Sequence, residues 1–175
     1  MDSNHRDIII IGAGLSGIGA ACHLSRKNPD KTYLILEART EVGGTWSLFQ
    51  YPGIRSDSDM YTFGYSFKTW EDKKSFADGS TILKYINEAA DEHKVRDHIV
   101  YQQKAVTFNF DCHSKLWTIT AANPLTAKET IYTCQFIFSC SGYYNYTKGY
   151  QPEFKDESLF QGPIIHPQHW PKDLA

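Results

Sequence analysis

The sequence has no surplus of positive charge, no long apolar run and no paired cysteines, and each absence narrows what the chain does. Eighteen Lys and Arg stand against twenty Asp and Glu, a formal net charge of −2. Nucleic-acid binders draw much of their affinity from a basic surplus, so the balance argues against that class. It leaves small anions open, because a helix N-terminus holds a phosphate without net positive charge. The longest apolar runs, near Ile8–Ile11 and Phe136–Phe138, are strand-sized and too short to span a bilayer. The polar opening Met1-Asp2-Ser3-Asn4-His5-Arg6-Asp7 carries no signal-peptide pattern. Cys22, Cys112, Cys134 and Cys140 form no Cys-x-x-Cys pair, so the expectation is four free thiols in a cytoplasmic protein, with neither a disulfide framework nor a zinc site. Internal repeats and low-complexity segments are absent too.

What is present fits one globular domain. The chain has 175 residues, 41% apolar and 22% charged, a balance of folded rather than disordered proteins. Aromatic residues reach 14%, which points to a large core or a stacking site. Asp7 to Ile11 is a β-branched run of the kind buried on both faces of a sheet. A glycine-rich turn follows, then a small-residue helix over Ile18–Lys27, stopped by Asn28-Pro29-Asp30. Thr32–Leu36 is a second apolar strand ending at Glu37. Periodicity disappears from Ala38 to about Phe76, and irregular stretches of that length are usually functional. Helical spacing returns over Ser80–His93. Ala105–Phe110, Leu116–Ala121 and Thr130–Thr133 read as a small antiparallel meander, and Gln135–Ser139 as another buried-type strand. Gly149–Ala175, with Pro152, Pro163, Pro167 and Pro171, reads as an extended tail or linker. The fold class is therefore α/β: a parallel sheet with helices plus a small antiparallel meander, Rossmann-like.

Gly12-x-Gly14-x-x-Gly17 lies between a predicted strand and a predicted helix, the context a phosphate-binding turn requires. Gly12 permits the tight turn, Gly14 lets backbone approach a pyrophosphate, and Gly17 lets helix pack on strand. The pyrophosphate then rests on the helix N-terminus. Glu37 follows 20 residues after Gly17, where a carboxylate accepts hydrogen bonds from an adenosine ribose. The pattern predicts a dinucleotide site, and by itself does not separate FAD from NAD(P).

Two further segments carry chemistry. Gly43-Gly44 beside Trp46 offers a close backbone approach and a flat ring, which a planar isoalloxazine uses. Arg55 and Asp57 read either as a partly buried charge pair or as part of an Asx-type turn over Ser56-Asp57-Ser58-Asp59. His166 and His169 have metal-like spacing but no evident third ligand, so no metal site is expected.

Gly43 to Asp57 fits [AG]-G-x-W-x4-[FY]-P-[GM]-x3-D, and Phe160 to Pro171 fits F-x-G-x3-H-x3-W-P, at every specified position. With the first motif, these make the chain resemble class B flavoprotein monooxygenases, specifically the Baeyer–Villiger type. The resemblance implies a two-domain enzyme using FAD and NADPH: hydride passes to the flavin, and one atom of molecular oxygen is inserted beside a ketone carbonyl to give an ester or lactone. It implies that Glu37 binds the adenosine ribose, that Gly44, Thr45 and Trp46 line the flavin side, and that Asp57 is the aspartate near the flavin. Arg55 would lie where the nicotinamide cofactor passes. Phe63 stands where relatives often carry a tyrosine against FAD, and Val106 would meet adenine through its backbone. Cys140-Ser141-Gly142 replaces the family's Ala-Thr-Gly turn. His166 would act as a hinge element coupling domain movement to catalysis.

The same resemblance divides the chain into the N-terminal portion of an FAD domain, residues 1–148, and an interdomain linker, residues 149–175. In the family a glycine-rich turn for NADPH and the catalytic arginine come later, so the 175-residue chain is expected to be inactive alone. Two alternatives stay open: oxygenation of nitrogen or sulfur in amines and sulfides, and a non-catalytic FAD-binding fragment.

Overall fold

Four consecutive isoleucines suit only a strand covered on both faces, and that is where Ile8–Ile11 lie. The computed structural model describes residues 4–171, 173 and 174; the opening residues Met1–Ser3 lie outside them. Strand β1 (His5–Ile11) pairs in parallel with β2 (Tyr33–Leu36), and β2 with the two-residue β3 (Ile99–Val100). On its other side β1 pairs in parallel with β6 (Glu129–Ser139), and β6 continues antiparallel to β5 (Leu116–Ala122) and β4 (Lys104–Asp111). The six-stranded order is β3-β2-β1-β6-β5-β4.

Helix α1 (Leu15–Lys27) starts three residues earlier than its spacing suggests, directly after the glycine turn. Its first turn holds no acid, and Arg26 and Lys27 close its last turn, complementing the helix dipole. Helix α4 (Gly79–Glu92) buries Ile82, Tyr85, Ile86, Ala89 and Ala90, one face of a 3.6-residue period. One core lies between these helices and the sheet, centred on Ile10, Ile18, Ile35, Ile82 and Ile86. A second joins Ile9 and Leu36 to Ile119, Ala121, Tyr132 and Cys134 of the antiparallel strands. The irregular loop contains two single-turn helices, α2 (Thr45–Leu48) and α3 (Met60–Phe63).

Three expectations are corrected. Thr130–Thr133 and Gln135–Ser139 are one strand, because β6 changes neighbours midway: its pairing with β5 ends at Trp117↔Cys134, while its pairing with β1 runs from Thr133 to Ser139. The second half is not buried, since Phe136 is 60% exposed and Phe138 38%. Of the stretch expected to be extended, the described residues 149–171 are not simply so; they include short 3-10 turns at Glu157–Leu159 and Pro167–His169 and fold back on the preceding segment.

All four cysteines are free. Burial pushes the Cys22 thiol up to about 12 and the Cys134 thiol up to about 11, whereas Cys112 is exposed. The thiolate is the nucleophile. Titration of the native chain with a disulfide reagent at pH 8 is therefore expected to modify Cys112 rapidly, leave Cys22 and Cys134 unreacted, and reach four thiols only after denaturation. Rapid reaction of Cys22 would contradict this packing. Among the described residues no helix is long and apolar enough to cross a membrane.

Candidate functional site

The C-terminal ends of β1, β2 and β6 meet at Gly12. Its N–H donates to Leu36 O at 2.9 Å, the Cys140 N–H donates to Ile11 O at 2.9 Å, and a Cβ on Gly12 would stand 2.7 Å from Cys140 O. The chain winds from β1 towards β2 on one side and towards β6 on the other, which makes this the switch point where open α/β sheets bind ligands. At Gly17 a Cβ would come 1.9 Å from Gly12 O, so strand and helix touch backbone to backbone. Gly14 is the N-cap of α1 and supplies no side-chain cap. The first turn of this 13-residue helix contains no acidic residue, and its amides face the glycine turn.

The second glycine pair closes over the first. Gly43 N–H donates to Ala13 O at 3.0 Å, and a Cβ on Gly44 would lie 3.0 Å from the Gly14 Cα. Gly44 has φ +56°, ψ −122°, a conformation that only glycine adopts at little cost. Two side-chain-free backbones therefore pack against each other beside the start of α1, and a Cβ on Gly44 would press on Gly14. This fits the pyrophosphate of a dinucleotide.

Glu37, at the end of β2, is 6% exposed. Its Oε2 accepts from the Ala13 N–H at 2.7 Å and its Oε1 from the Arg39 N–H at 2.8 Å. The carboxylate thus ties the glycine turn to the following loop, a structural duty that its spacing alone does not reveal. Each oxygen keeps a further lone pair for a ribose hydroxyl. Arg39, which sequence reasoning missed, donates to Ser47 Oγ at 2.5 Å and Gly44 O at 3.3 Å and pairs with Glu41 at 2.8 Å. Its guanidinium fixes the Gly43–Ser47 loop. Nearby, the Gln103 N–H donates to Glu37 O at 2.9 Å, and Gln103 Oε1 is a buried oxygen without a hydrogen-bond partner among the described residues.

Trp46 and Phe63 meet edge to face at 5.9 Å and both pack on the core beneath α1, while Thr45 opens α2 beside Gly44. Arg55 and Asp57 do not form the charge pair considered above: both are exposed, and no ion pair joins them among the described residues. The cause is local. The Arg55 backbone forms an isolated antiparallel β-bridge with Asp78, Ser56 N–H donates to Ala77 O at 3.0 Å, and the buried Ser56 hydroxyl both donates to Ser58 O and accepts from the Ser58 N–H. Asp59 caps α3 through the Thr62 N–H. Ser56 and Asp59 therefore make the turn, and Asp57 is left at its surface.

After β6, Gly142 adopts φ +73° and the chain crosses over the loop of the second motif. The Tyr144 ring packs edge-on to Phe49 at 5.4 Å, and the Tyr146 hydroxyl lies 3.4 Å from where a Gly44 Cβ would stand. The adjacent Tyr143 hydroxyl pushes the Tyr144 phenol up, with smaller contributions from desolvation, Tyr51 and Asp57. His166 accepts from the Gln168 N–H at Nδ1, so Nε2, 3.1 Å from Tyr150 O, carries the proton of a neutral ring. Nδ1 thus caps the 3-10 turn at Pro167–His169, and Nε2 ties it to Tyr150. No group of three or more potential metal ligands occurs among the described residues. Val106 lies 46% exposed at the β4 bulge, on the meander. A groove of about 500 Å³ between α4 and residues 67–72 lies elsewhere, where four carboxylates outnumber Lys68 and Lys84 and disfavour a pyrophosphate.

Residues 10–77 match a family described as an NAD(P)-binding Rossmann-like domain. The chain is 50% identical over 172 residues to the FAD-containing monooxygenase EthA of Mycolicibacterium smegmatis and 47% identical over 172 residues to EthA of Mycobacterium tuberculosis H37Rv. Each alignment covers 98% of this chain and 35% of the relative, so the chain spans about a third of the length of these relatives. The solved structure of OTEMO in complex with FAD and NADP matches with a TM-score of 0.78 at 32% identity, over 96% of this chain and 30% of that one. These likenesses run along nearly its whole length: the chain is similar to about a third of each of these FAD-containing monooxygenases and shares the Rossmann-like fold of a structure that holds FAD and NADP.

Proposed function

We infer that this chain binds FAD and forms the FAD-binding part of an NADPH-dependent monooxygenase of the cytoplasm. The observation that carries the reading is the packing of the Gly14 and Gly44 backbones against each other beside the start of α1. The N-terminal amides of α1 would hold the pyrophosphate, Glu37 the adenosine ribose, and Gly44, Thr45 and Trp46 the flavin side. Phe63 would support Trp46 from below, and Val106 and Gly142 would border the adenine and the crevice. Bound FAD supplies hydride and oxygen chemistry; the protein orients it and keeps water away. Asp57 and Arg55, exposed on the loop beside the site, are proposed to face the nicotinamide cofactor. His166 is proposed as a positioning residue, in a linker, residues 149–175, that joins residues 1–148 to a nicotinamide-binding domain.

The finer reading is oxygen insertion beside a ketone. In sum, a ketone, molecular oxygen and NADPH with one proton give an ester or lactone, water and NADP. It is supported by the closing Trp170-Pro171 of the third motif and by the likeness to OTEMO. Titration of the folded chain with FAD is expected to saturate at one equivalent and to fail in Gly14→Val, whose side chain would stand against Gly44. A folded wild-type chain that never saturates would overturn the assignment. Product analysis of the full-length protein offered ketones, amines and sulfides decides the substrate class: esters support the finer reading, and N- or S-oxides alone contradict it.

A further inference from the structure

We propose that Tyr143–Tyr146 is an additional wall of the dinucleotide site, with the Tyr144 ring against the isoalloxazine end and Gln168 holding the wall in place. The inference rests on the FAD reading and adds residues that no part of it uses. Its first support is direction. Glu37 marks the adenosine side at the end of β2, and β6 emerges on the opposite side of β1. A dinucleotide laid over Gly14 from Glu37 therefore runs towards the segment that follows β6. That segment is Tyr143-Tyr144-Asn145-Tyr146.

Its second support is contact. The Tyr146 hydroxyl reaches the Gly44 side of the glycine pair, and Tyr144 lies between Phe49, edge-on at 5.4 Å, and Tyr143, tilted at 4.6 Å. Tyr144 stays 47% exposed and senses the Asp57 charge. An exposed, edge-supported aromatic ring at the rim of a crevice is a surface for a flat partner.

The third support is how the segment is held. The Asn145 side-chain oxygen accepts from the N–H groups of Thr147 and Lys148, which fixes the turn. Its carbonyl accepts from Gln168 Nε2 at 3.1 Å, and Gln168 is 8% exposed. Gly149 makes this docking possible, because a Cβ there would stand 2.3 Å from His166 Cε1 and 2.9 Å from Gln168 Oε1. Gln168 acts through Asn145 and is a positioning residue.

The test compares FAD with ADP on the full chain, together with the emission of bound flavin, which a phenol in contact with the isoalloxazine quenches by electron transfer. Tyr144→Leu is expected to weaken FAD binding about 3- to 10-fold, the range for loss of one aromatic contact. It is expected to leave ADP affinity unchanged and to brighten bound FAD. Tyr144→Phe should recover the affinity but not the quenching, a split that a merely structural role does not produce. Gln168→Leu should shift FAD in the same direction as Tyr144→Leu, again sparing ADP. Unchanged FAD affinity and emission in Tyr144→Leu, with wild type binding both ligands, would overturn this inference alone. Equal loss of FAD and ADP would move Tyr144 to the pyrophosphate and overturn the isoalloxazine assignment. If the folded wild-type chain binds neither ligand, the FAD reading fails and the wall fails with it.

Discussion

Gly17→Ala is expected to lower the stability of the chain by about 3 kcal/mol or more, a fall in Tm of roughly 6–12 °C for a protein of this size. The added methyl would stand 1.9 Å from Gly12 O, and the atom it meets is backbone rather than the end of a flexible side chain. Relief requires α1 to move off β1, which separates the first core and tilts the amides that face the turn. Gly53→Ala is the matched control. Gly53 has φ +78° but nothing within 4 Å of a Cβ, so the substitution carries only conformational strain, about 1–2 kcal/mol. Thermal unfolding of the two variants side by side reads the difference. Equal losses would mean that the helix does not sit as close to the strand as described.

Glu37→Ala is the second large effect, expected at about 2–4 kcal/mol without any ligand present. Two N–H donors, a buried one on Ala13 and a part-buried one on Arg39, lose their acceptor at once. Glu37→Gln retains one acceptor oxygen but sets an amide N–H₂ against the other donor, so about half the loss remains. Urea unfolding of the unliganded chain measures this, and ADP titration separates the ligand's share. Glu37→Gln is expected to weaken ADP about 10-fold, as for loss of a charge-assisted hydrogen bond. A destabilised variant that binds ADP as well as wild type would assign Glu37 to the fold alone.

The parts of this molecule that were legible in the sequence are those whose cause is local. Ile8–Ile11, the glycine spacing and the small residues of α1 each dictate their own conformation, and together they locate the turn. Strand β6 was read as two strands because its burial pattern changes near Cys134–Gln135, where it trades β5 for β1 as neighbour. Two residues, Ile99 and Val100, are too few to show a period, so β3 left no trace. The Arg55–Asp57 pairing failed because a serine between them, not either charge, makes the turn. Arg39, Tyr144 and Gln168 were missed for a different reason. Arg39 reads as an ordinary surface cation until Ser47 and the Gly44 carbonyl are brought to its guanidinium. The roles of Tyr144 and Gln168 depend on the chain returning over itself, as across the 23 residues from Asn145 to Gln168, which no local pattern announces.

The sharing of β1 between β2 and β6 has a consequence in time. β2 is made soon after β1, but the partner on the other side lies 128 positions later, as with His5 and Thr133. At ribosomal rates of about 5–20 residues per second, that interval is on the order of 6–25 s. Throughout it, the most apolar strand of the chain has one edge closed and one waiting. The dinucleotide turn is therefore assembled early from nearby sequence, while the crevice beside it is completed only when β6 arrives from the far end of the nascent chain.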